Sequence, residues 1–229
     1  MGIKRAIQAE RLYLVLTAIF VASLVAGNLI FQKFFSWDFF GIYTFEISVG
    51  ILPYPITFLI TDIISEIYGK KKANRVVLSG LFASVFVLGV VMLADYVPAT
   101  VWSPVQNETF HNVFGLTVVA VGASMMAYLL AQFVDIRVYH FWKKKTRGKH
   151  LWLRNNASTM FSQLVDTSSV LLLLCSFGAI EWDKFTSLLI SGVLFKVLIA
   201  AIDTPFLYFF VGWIKRYFQL GINEELDGV

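Results

Sequence analysis

Six long apolar runs constrain the fold of this chain more than any other feature of its sequence. An α-helix rises 1.5 Å per residue, so about 20 apolar residues cross a hydrocarbon core of about 30 Å. The chain is 58% hydrophobic and only 15% charged, which is too apolar for an ordinary soluble domain. We therefore predict an all-α integral membrane protein in which residues 1–229 form a single transmembrane domain. The six predicted spans lie near residues 11–32, 47–68, 76–97, 113–141, 157–180 and 186–214.

The positions of the basic residues predict the orientation of these spans. Lys and Arg concentrate in cytoplasmic connections of membrane proteins, and here they concentrate in the connections at one end of the predicted bundle. We therefore expect both termini to be cytoplasmic, and we expect the pI of about 9.1 to reflect this orientation rather than binding to nucleic acid. The basic side holds Lys4, Arg5, Arg11, Lys70, Lys71, Lys72, Arg75, Lys143, Lys144, Lys145, Arg147, Lys149, Arg154, Lys215 and Arg216, whereas the other side holds Lys33 and Lys184.

The second apolar run is unusual because it contains prolines and carboxylates. Proline removes a backbone donor and clashes with the preceding turn, so we predict that the second helix is broken at Pro53 and Pro55. Broken helices beside buried charges are where transporters often bind their cargo. The same argument predicts a kink in the last helix near Pro205.

Polar and charged side chains within the spans fall on helical faces. Each ionised group at a helix centre costs roughly 2.5–3.5 kcal/mol, so such groups generally face a protein interior or a water-filled cavity. Steps of three, four and seven residues place them on one stripe of each of four helices. The stripes comprise Asp62 and Glu66, then Tyr128, Gln132, Asp135, Tyr139 and Trp142, then Thr159, Gln163 and Asp166, and finally Lys196 and Asp203.

These stripes have a structural and a functional interpretation. Lys196 could neutralise a neighbouring aspartate, and near the span ends we favour a purely structural role for Glu66 and Arg137. Buried amides need several partners, so Gln132 and Gln163 together with aspartates suit a small, polar, planar ligand. For the central residues Asp62, Gln132, Asp166 and Lys196 we favour a functional cavity.

The sequence carries no enzymatic or metal-binding motif. It has no H-E-x-x-H, P-loop, G-x-G-x-x-G or G-x-S-x-G pattern, and its three histidines are scattered. We therefore expect no catalytic residue, no metal and no cofactor, and we do not expect an enzyme. A membrane-embedded aspartyl hydrolase stays open as an alternative, because it would need only two carboxylates close enough to share a proton.

Four sequence stretches carry a resemblance to a known family. Read in order, PYPITFLITDIISEIYG, AYLLAQFVDIRVYHFWK, LWLRNNASTMFSQLVDT and FKVLIAAIDTP resemble the queuosine-precursor transporters, also called vitamin uptake transporters. The similarity runs from about Leu12 to Phe218. It implies a six-span protein of a prokaryotic cytoplasmic (inner) membrane that imports 7-cyano- or 7-aminomethyl-7-deazaguanine for salvage into tRNA. The family's motif positions fall here on Thr61, Asp62, Gln132, Asp135, Ser158, Thr159, Asp166, Thr167 and Lys196.

The chemistry of a deazaguanine agrees with these residues. A carboxylate can accept from N1–H and the exocyclic amine together, and an amide can donate to O6. We therefore expect an importer, with a binding subunit of a larger energised importer for a vitamin or nucleobase as the alternative. Its expected partners are the small-molecule substrate, the lipid bilayer, and either further copies of the chain or an energising subunit. The expected substrate-binding residues are Asp62, Gln132, Asp135, Asn156, Gln163, Asp166, Thr167, Lys196 and Asp203.

Overall fold

A computed structural model describes residues 3–30, 33–41, 43–115, 118–147, 149–176, 181–222 and 224–226. It confirms the predicted helical fold, with six helices of 14 residues or more in the described part of the chain. A short helix and three single turns of other helix types complete the helical elements. The helices are α1 (Ile3–Ile30), α2 (Tyr54–Ile67), α3 (Gly69–Tyr96), α4 (Asn107–Phe110), α5 (Val118–Lys145), α6 (Leu151–Ser176) and α7 (Phe185–Phe218).

The helix boundaries differ most from prediction between the second and third helices. The predicted loop at residues 69–75 forms the first turns of α3, because the chain reverses at a single residue, Gly69, whose φ is +79°. Glycine adopts this left-handed conformation without the steric cost that a Cβ brings. The basic residues from Lys70 to Arg75 then continue as helix, which lysine, arginine and alanine favour. The predicted span ends at residues 32 and 180 lie outside the described residues.

The prolines mark the start of α2. Pro53 is the N-cap residue and Pro55 lies in the first turn, where a missing N–H leaves no bond unmade. A 3₁₀ turn at Val49–Ile51 precedes them, so the α-helical part of the second run begins only at Tyr54. Helix α7 continues on both sides of Pro205, and the kink predicted there stays a prediction.

A β-hairpin, which the sequence pattern did not predict, lies between α1 and the 3₁₀ turn. Strands β1 (Phe34–Phe39) and β2 (Tyr43–Ser48) pair antiparallel, with Trp37 opposite Phe45. A turn containing Gly41 at φ +70° connects them. The hairpin packs on α7, because the rings of Trp37 and Phe45 lie 5.7 and 5.4 Å from the ring of Phe195.

Helix α2 is the central element of the bundle. Ten of its 14 residues are buried, and α1, α3, α5 and α7 pack around it. Its apolar side chains join those of α1, α3 and α7 in one core cluster. This central helix carries two carboxylates, Asp62 and Glu66, which are 1% and 2% exposed.

Among the described residues, four helical segments are long and apolar enough to cross a membrane. They are Lys4–Ile30, Val49–Ile67, Gly69–Tyr96 and Trp182–Phe218. Helices α5 and α6 are 28 and 26 residues long, but they carry the polar stripes. Large apolar side chains stand exposed along the outer faces of the helices, as lipid contact requires, among them Leu14, Phe82, Phe86, Leu93, Phe209 and Trp213.

Four basic segments of the chain meet at one end of the bundle. The Arg5 guanidinium donates to the Gln219 side chain at 2.9 Å, which joins the start of α1 to the end of α7. The Leu226 N–H donates to the Ile67 carbonyl at 2.7 Å, which joins the C-terminal tail to the turn between α2 and α3. Lys143, near the end of α5, pairs with Glu225 of that tail.

Candidate functional site

An ionic cluster from three helices lies inside the bundle. The ammonium of Lys196 on α7 lies 2.6 Å from Asp166 Oδ2 on α6. The Tyr54 hydroxyl on α2 donates to the same carboxylate oxygen, and the Lys196 ammonium sits 4.6 Å above the Tyr54 ring. The carboxylate is 6% exposed and the lysine 14%, so this charge pair is largely withdrawn from solvent. Three separate helices are thereby held together by polar contacts.

Local sequence explains how these three side chains meet. Pro53 caps α2, so that Tyr54 is the first residue of the helix, and its hydroxyl reaches Asp166 on α6. On α7, a Cβ at Gly192 would lie 3.1 Å from Thr167, so glycine lets α7 approach α6 closely. Lys196 lies four residues, or one turn, beyond Gly192 and therefore on the same side of α7.

A cavity opens beside this cluster between α2, α6 and α7. It contains about 300 Å³ of space not filled by atoms, part of which is open to solvent. The Gln163 side-chain oxygen is buried and has no hydrogen-bond partner among the residues that the structure describes. The cavity thus combines aromatic walls with donors and acceptors, which is typical of small-molecule sites. Its lining comprises Ile51, Tyr54, Pro55, Phe58, Gln163, Phe195, Lys196, Ile199, Ala200 and Asp203.

A second polar group lies deeper, between α2, α5 and α6. The carboxyl groups of Asp62 and Asp135 are 1% and 0% exposed and lie at the level where α2 bonds α5. The Ser162 hydroxyl donates to Asp135 Oδ1 at 3.0 Å, and the Thr61 hydroxyl donates to the Gln132 side-chain oxygen at 3.3 Å. Within the described parts of the chain, neither oxygen of Asp62 and only one oxygen of Asp135 receives a hydrogen bond.

A third polar group surrounds Glu66, one turn beyond Asp62. Its carboxylate lies 2.6 Å from Lys215, 3.2 Å from Arg154 and 3.6 Å from Lys143, and it accepts from the Tyr139 hydroxyl at 3.1 Å. These contacts join α2, α5, α6 and α7, which supports the structural role predicted for Glu66. Arg137, for which a structural role was also predicted, is exposed on α5.

The structure divides the nine predicted site residues among separate places. Gln163, Asp166, Lys196 and Asp203 lie at or beside the cavity, whereas Asp62, Gln132 and Asp135 form the deeper group. The Thr167 hydroxyl is buried and finds no partner within the described residues, and the Thr159 side chain lies outside them. Asn156 belongs to neither group, since it bonds the Trp152 carbonyl and the Thr204 hydroxyl at 2.8 and 3.1 Å and so links α6 to α7.

Two participants were missed by sequence reasoning. Tyr54 stands between two prolines, and its position at a helix start beside a predicted break is the signal that could have identified it. Arg154 was counted only as an orientation residue, yet it is 1% exposed and reaches Glu66. No spacing rule within α6 alone indicates which carboxylate on another helix Arg154 would reach.

A bundle of long apolar helices that encloses charged side chains beside a cavity is the arrangement of a membrane transporter. Comparison with known proteins leads to the same class. The family described as "Putative vitamin uptake transporter" matches residues 48–210, and the chain belongs to that family. The matched range contains every residue of the cavity and of the Asp62–Asp135 group, and every residue of the Glu66 group except Lys215.

Individual relatives are bacterial transporters. The chain is 31% identical over 166 residues to the probable queuosine precursor transporter of Bacillus subtilis, covering 70% of each chain. It is 26% identical over 160 residues to the queuosine precursor transporter of Escherichia coli, covering 69% of each. Because the family and these relatives are named as transporters, the chain is not an enzyme. No solved structure matches it significantly.

Proposed function

We propose that this protein imports queuosine precursors, 7-cyano- or 7-aminomethyl-7-deazaguanine, and binds them in the cavity beside Tyr54, Asp166 and Lys196. The observation that carries the proposal is this charged cluster facing a small aromatic cavity inside an apolar bundle. The names of the bacterial relatives supply the class of substrate.

The cavity side chains match the edge of a deazaguanine. Asp166 can accept from N1–H and the exocyclic amine, and the Lys196 ammonium can donate to O6. The free Gln163 oxygen offers one more acceptor, and the half-buried Asp203 suits the cation of an aminomethyl group. Until substrate arrives, Lys196 neutralises Asp166, which avoids the cost of an isolated buried charge.

We propose the following membrane arrangement for this transporter. Helices α1, α2, α3, α5, α6 and α7 all cross the cytoplasmic membrane of a prokaryote as one domain, and both termini are cytoplasmic. The meeting of the basic segments at one end of the bundle supports this orientation. Relatives from bacteria support the choice of membrane.

The test is salvage in living cells. The gene is expressed in a bacterial strain that can neither synthesise nor import the precursor, and the queuosine content of its tRNA is measured with precursor in the medium. The wild-type chain should restore queuosine, and Asp166→Asn should not. Asp183→Asn, which removes an exposed carboxylate that pairs with neighbouring Lys184, is the matched control and should restore it. Full restoration by Asp166→Asn would remove the proposed site.

The alternatives differ from this proposal in specific ways. A binding subunit of a larger importer needs a docking surface, for which Gly115, Gly122, Ala123 and Ala127 are the sequence candidates. Of these, Ala127 is only 5% exposed and packs inside the bundle, whereas Gly122 is half-buried. Reconstitution decides, because purified protein that binds precursor yet never moves it across liposomes would be a subunit of an energised importer. The aspartyl hydrolase is set aside, since the relatives are transporters.

A further inference from the structure

We propose that Asp62 and Asp135 form a coupling site that carries a single proton, so that a proton gradient drives substrate accumulation. This inference rests on the proposed import function and assigns the energy source, which neither the family nor the relatives name. Neither Asp62 nor Asp135 lines the substrate cavity, so the proposed coupling site and the substrate site are different places.

The geometry of the Asp62–Asp135 pair favours a proton shared between the two carboxyl groups. Both carboxyl groups are almost fully buried, and the hydrogen bond from Thr61 to Gln132 places them at the same level of α2 and α5. Two buried carboxylates that share a site rarely both ionise, and such pairs commonly hold one proton in common. If both carboxyl groups were ionised, three of their four oxygens would have no hydrogen-bond donor among the described residues. One proton shared between the two groups supplies a hydrogen bond.

The groups that face the pair do not supply this charge. Asp203 on α7 adds a further carboxylate, and Tyr139 on α5 bonds Glu66. Arg154 on α6 acts on Asp62 from a distance, while its one ion pair among the described residues is with Glu66. The hydroxyl groups of Ser158 and Ser162 face Asp135 from α6, and they are neutral.

The helices around the pair favour a proton over a sodium ion. In transporters, sodium is usually held by backbone carbonyls that an unwound helix sets free. Here α2, α5 and α6 are continuous helices at Asp62, Asp135 and Ser162, so their carbonyls accept bonds within the helices. A proton needs only the two carboxylates.

Helix α6 connects the pair to the substrate cavity. Ser162 bonds Asp135, and Asp166 lies four residues further along the same helix, about 6 Å along its axis. Gln163, between them, lines the cavity. A small displacement of α6 on substrate binding therefore changes the surroundings of both sites, which is what coupling requires.

The test uses the purified full-length chain in liposomes with labelled 7-cyano-7-deazaguanine. When the medium outside the liposomes is more alkaline than the interior, no accumulation is expected. When the outside is more acidic than the interior, the wild type should concentrate the label at least tenfold. Asp62→Asn and Asp135→Asn should lose this accumulation and still exchange external label for internal precursor without a gradient. Asp183→Asn serves as the control and should accumulate label like the wild type.

The outcomes separate this inference from the proposed function. Wild-type accumulation that follows a sodium gradient, or Asn variants that accumulate label normally, would overturn the proton site. Variants that are folded by size-exclusion chromatography yet lose precursor binding would place the pair in the substrate site, which also overturns it. If the variants do not fold, a pH-sensitive dye inside wild-type liposomes decides, because uptake without internal acidification contradicts proton coupling. A wild-type protein that neither binds nor exchanges the precursor would instead defeat the proposed function.

Discussion

Glu66 and Asp62 lie one turn apart on the same helix and are equally buried, at 2% and 1% exposure, yet their surroundings are opposite. Glu66 is contacted by Lys143, Arg154 and Lys215 and accepts a hydrogen bond from a tyrosine. Asp62 faces a second carboxylate, and no donor in the described part of the chain reaches either of its oxygens. Desolvation costs both carboxylates a comparable amount, so the difference lies in what compensates for that cost.

The contrast separates structure from function within one polar interior. A buried charge that its own protein neutralises is complete without a ligand, and it holds helices together. A buried carboxylate that its own protein leaves without a donor needs something from outside, a proton or a substrate group. The Asp166 cluster lies between these extremes, because its partner Lys196 borders an open cavity.

The largest expected effect comes from Glu66→Ala. It leaves three buried or half-buried cations without their shared partner, and breaking a buried ion pair costs about 3–5 kcal/mol. We expect a large fall in the thermal unfolding midpoint in detergent, measured by tryptophan fluorescence. Glu225→Ala is the matched control, because Glu225 is 33% exposed and such pairs contribute about 1 kcal/mol or less. Equal midpoints for both variants would contradict the structural role of Glu66.

Tyr54→Phe should have the next largest effect. It keeps the ring beneath Lys196 and removes the hydroxyl that bonds Asp166, and hydrogen bonds to charged groups contribute about 1.5–3 kcal/mol. We expect a corresponding loss of unfolding free energy and weaker precursor binding. Tyr208→Phe, which removes a hydroxyl that accepts from the Trp152 N–H at an exposed position, should leave binding unchanged. A Tyr54→Phe protein that binds as tightly as the wild type would exclude the hydroxyl from the site.

Gly69→Ala tests the turn that follows Glu66. Left-handed backbone costs a residue with a Cβ about 1–2 kcal/mol, and the new methyl group would collide with the Glu225 carboxylate. We expect lower thermal stability and a displaced C-terminal tail, detectable as faster proteolysis at the C-terminus. Gly89→Ala is the control, since nothing lies within 4 Å of its new Cβ and alanine favours a helix interior.

Asp62→Asn should have the smallest effect on stability. No hydrogen bond from the described residues is lost, and an amide can donate to Asp135, so the unfolding free energy should stay within about 1 kcal/mol of the wild type or rise. The same thermal measurement, set beside Glu66→Gln, gives the direct comparison. A large destabilisation by Asp62→Asn alone would show that Asp62 has a structural partner.

The sequence predicted which residues face the interior, because helical periodicity reports on one helix at a time. The stripes through Gln132, Asp135, Gln163 and Asp166 all lie inside the bundle. Periodicity cannot report how helices rotate against each other, so it placed Asp62 and Asp166 in a single site and did not pair Asp62 with Asp135. The pairing depends on packing between α2, α5 and α6 that no single segment encodes.

Short-range detail was predicted less completely. The strands Phe34–Phe39 and Tyr43–Ser48 alternate apolar and polar residues around Gly41, yet six-residue alternation is weak beside long apolar runs. Residues 69–75 were predicted to form a loop, whereas they form the first turns of α3. A basic cluster after an apolar run indicates a membrane boundary, but it does not indicate whether the backbone there is helical.

The central claim is tested most directly by equilibrium binding of 7-cyano-7-deazaguanine to the purified protein in detergent. The account predicts that the wild type and Asp183→Asn bind with equal affinity, and that folded Asp166→Asn binds at least tenfold more weakly. Equal affinity in all three proteins would contradict it, because the precursor would then bind without the Asp166 carboxylate.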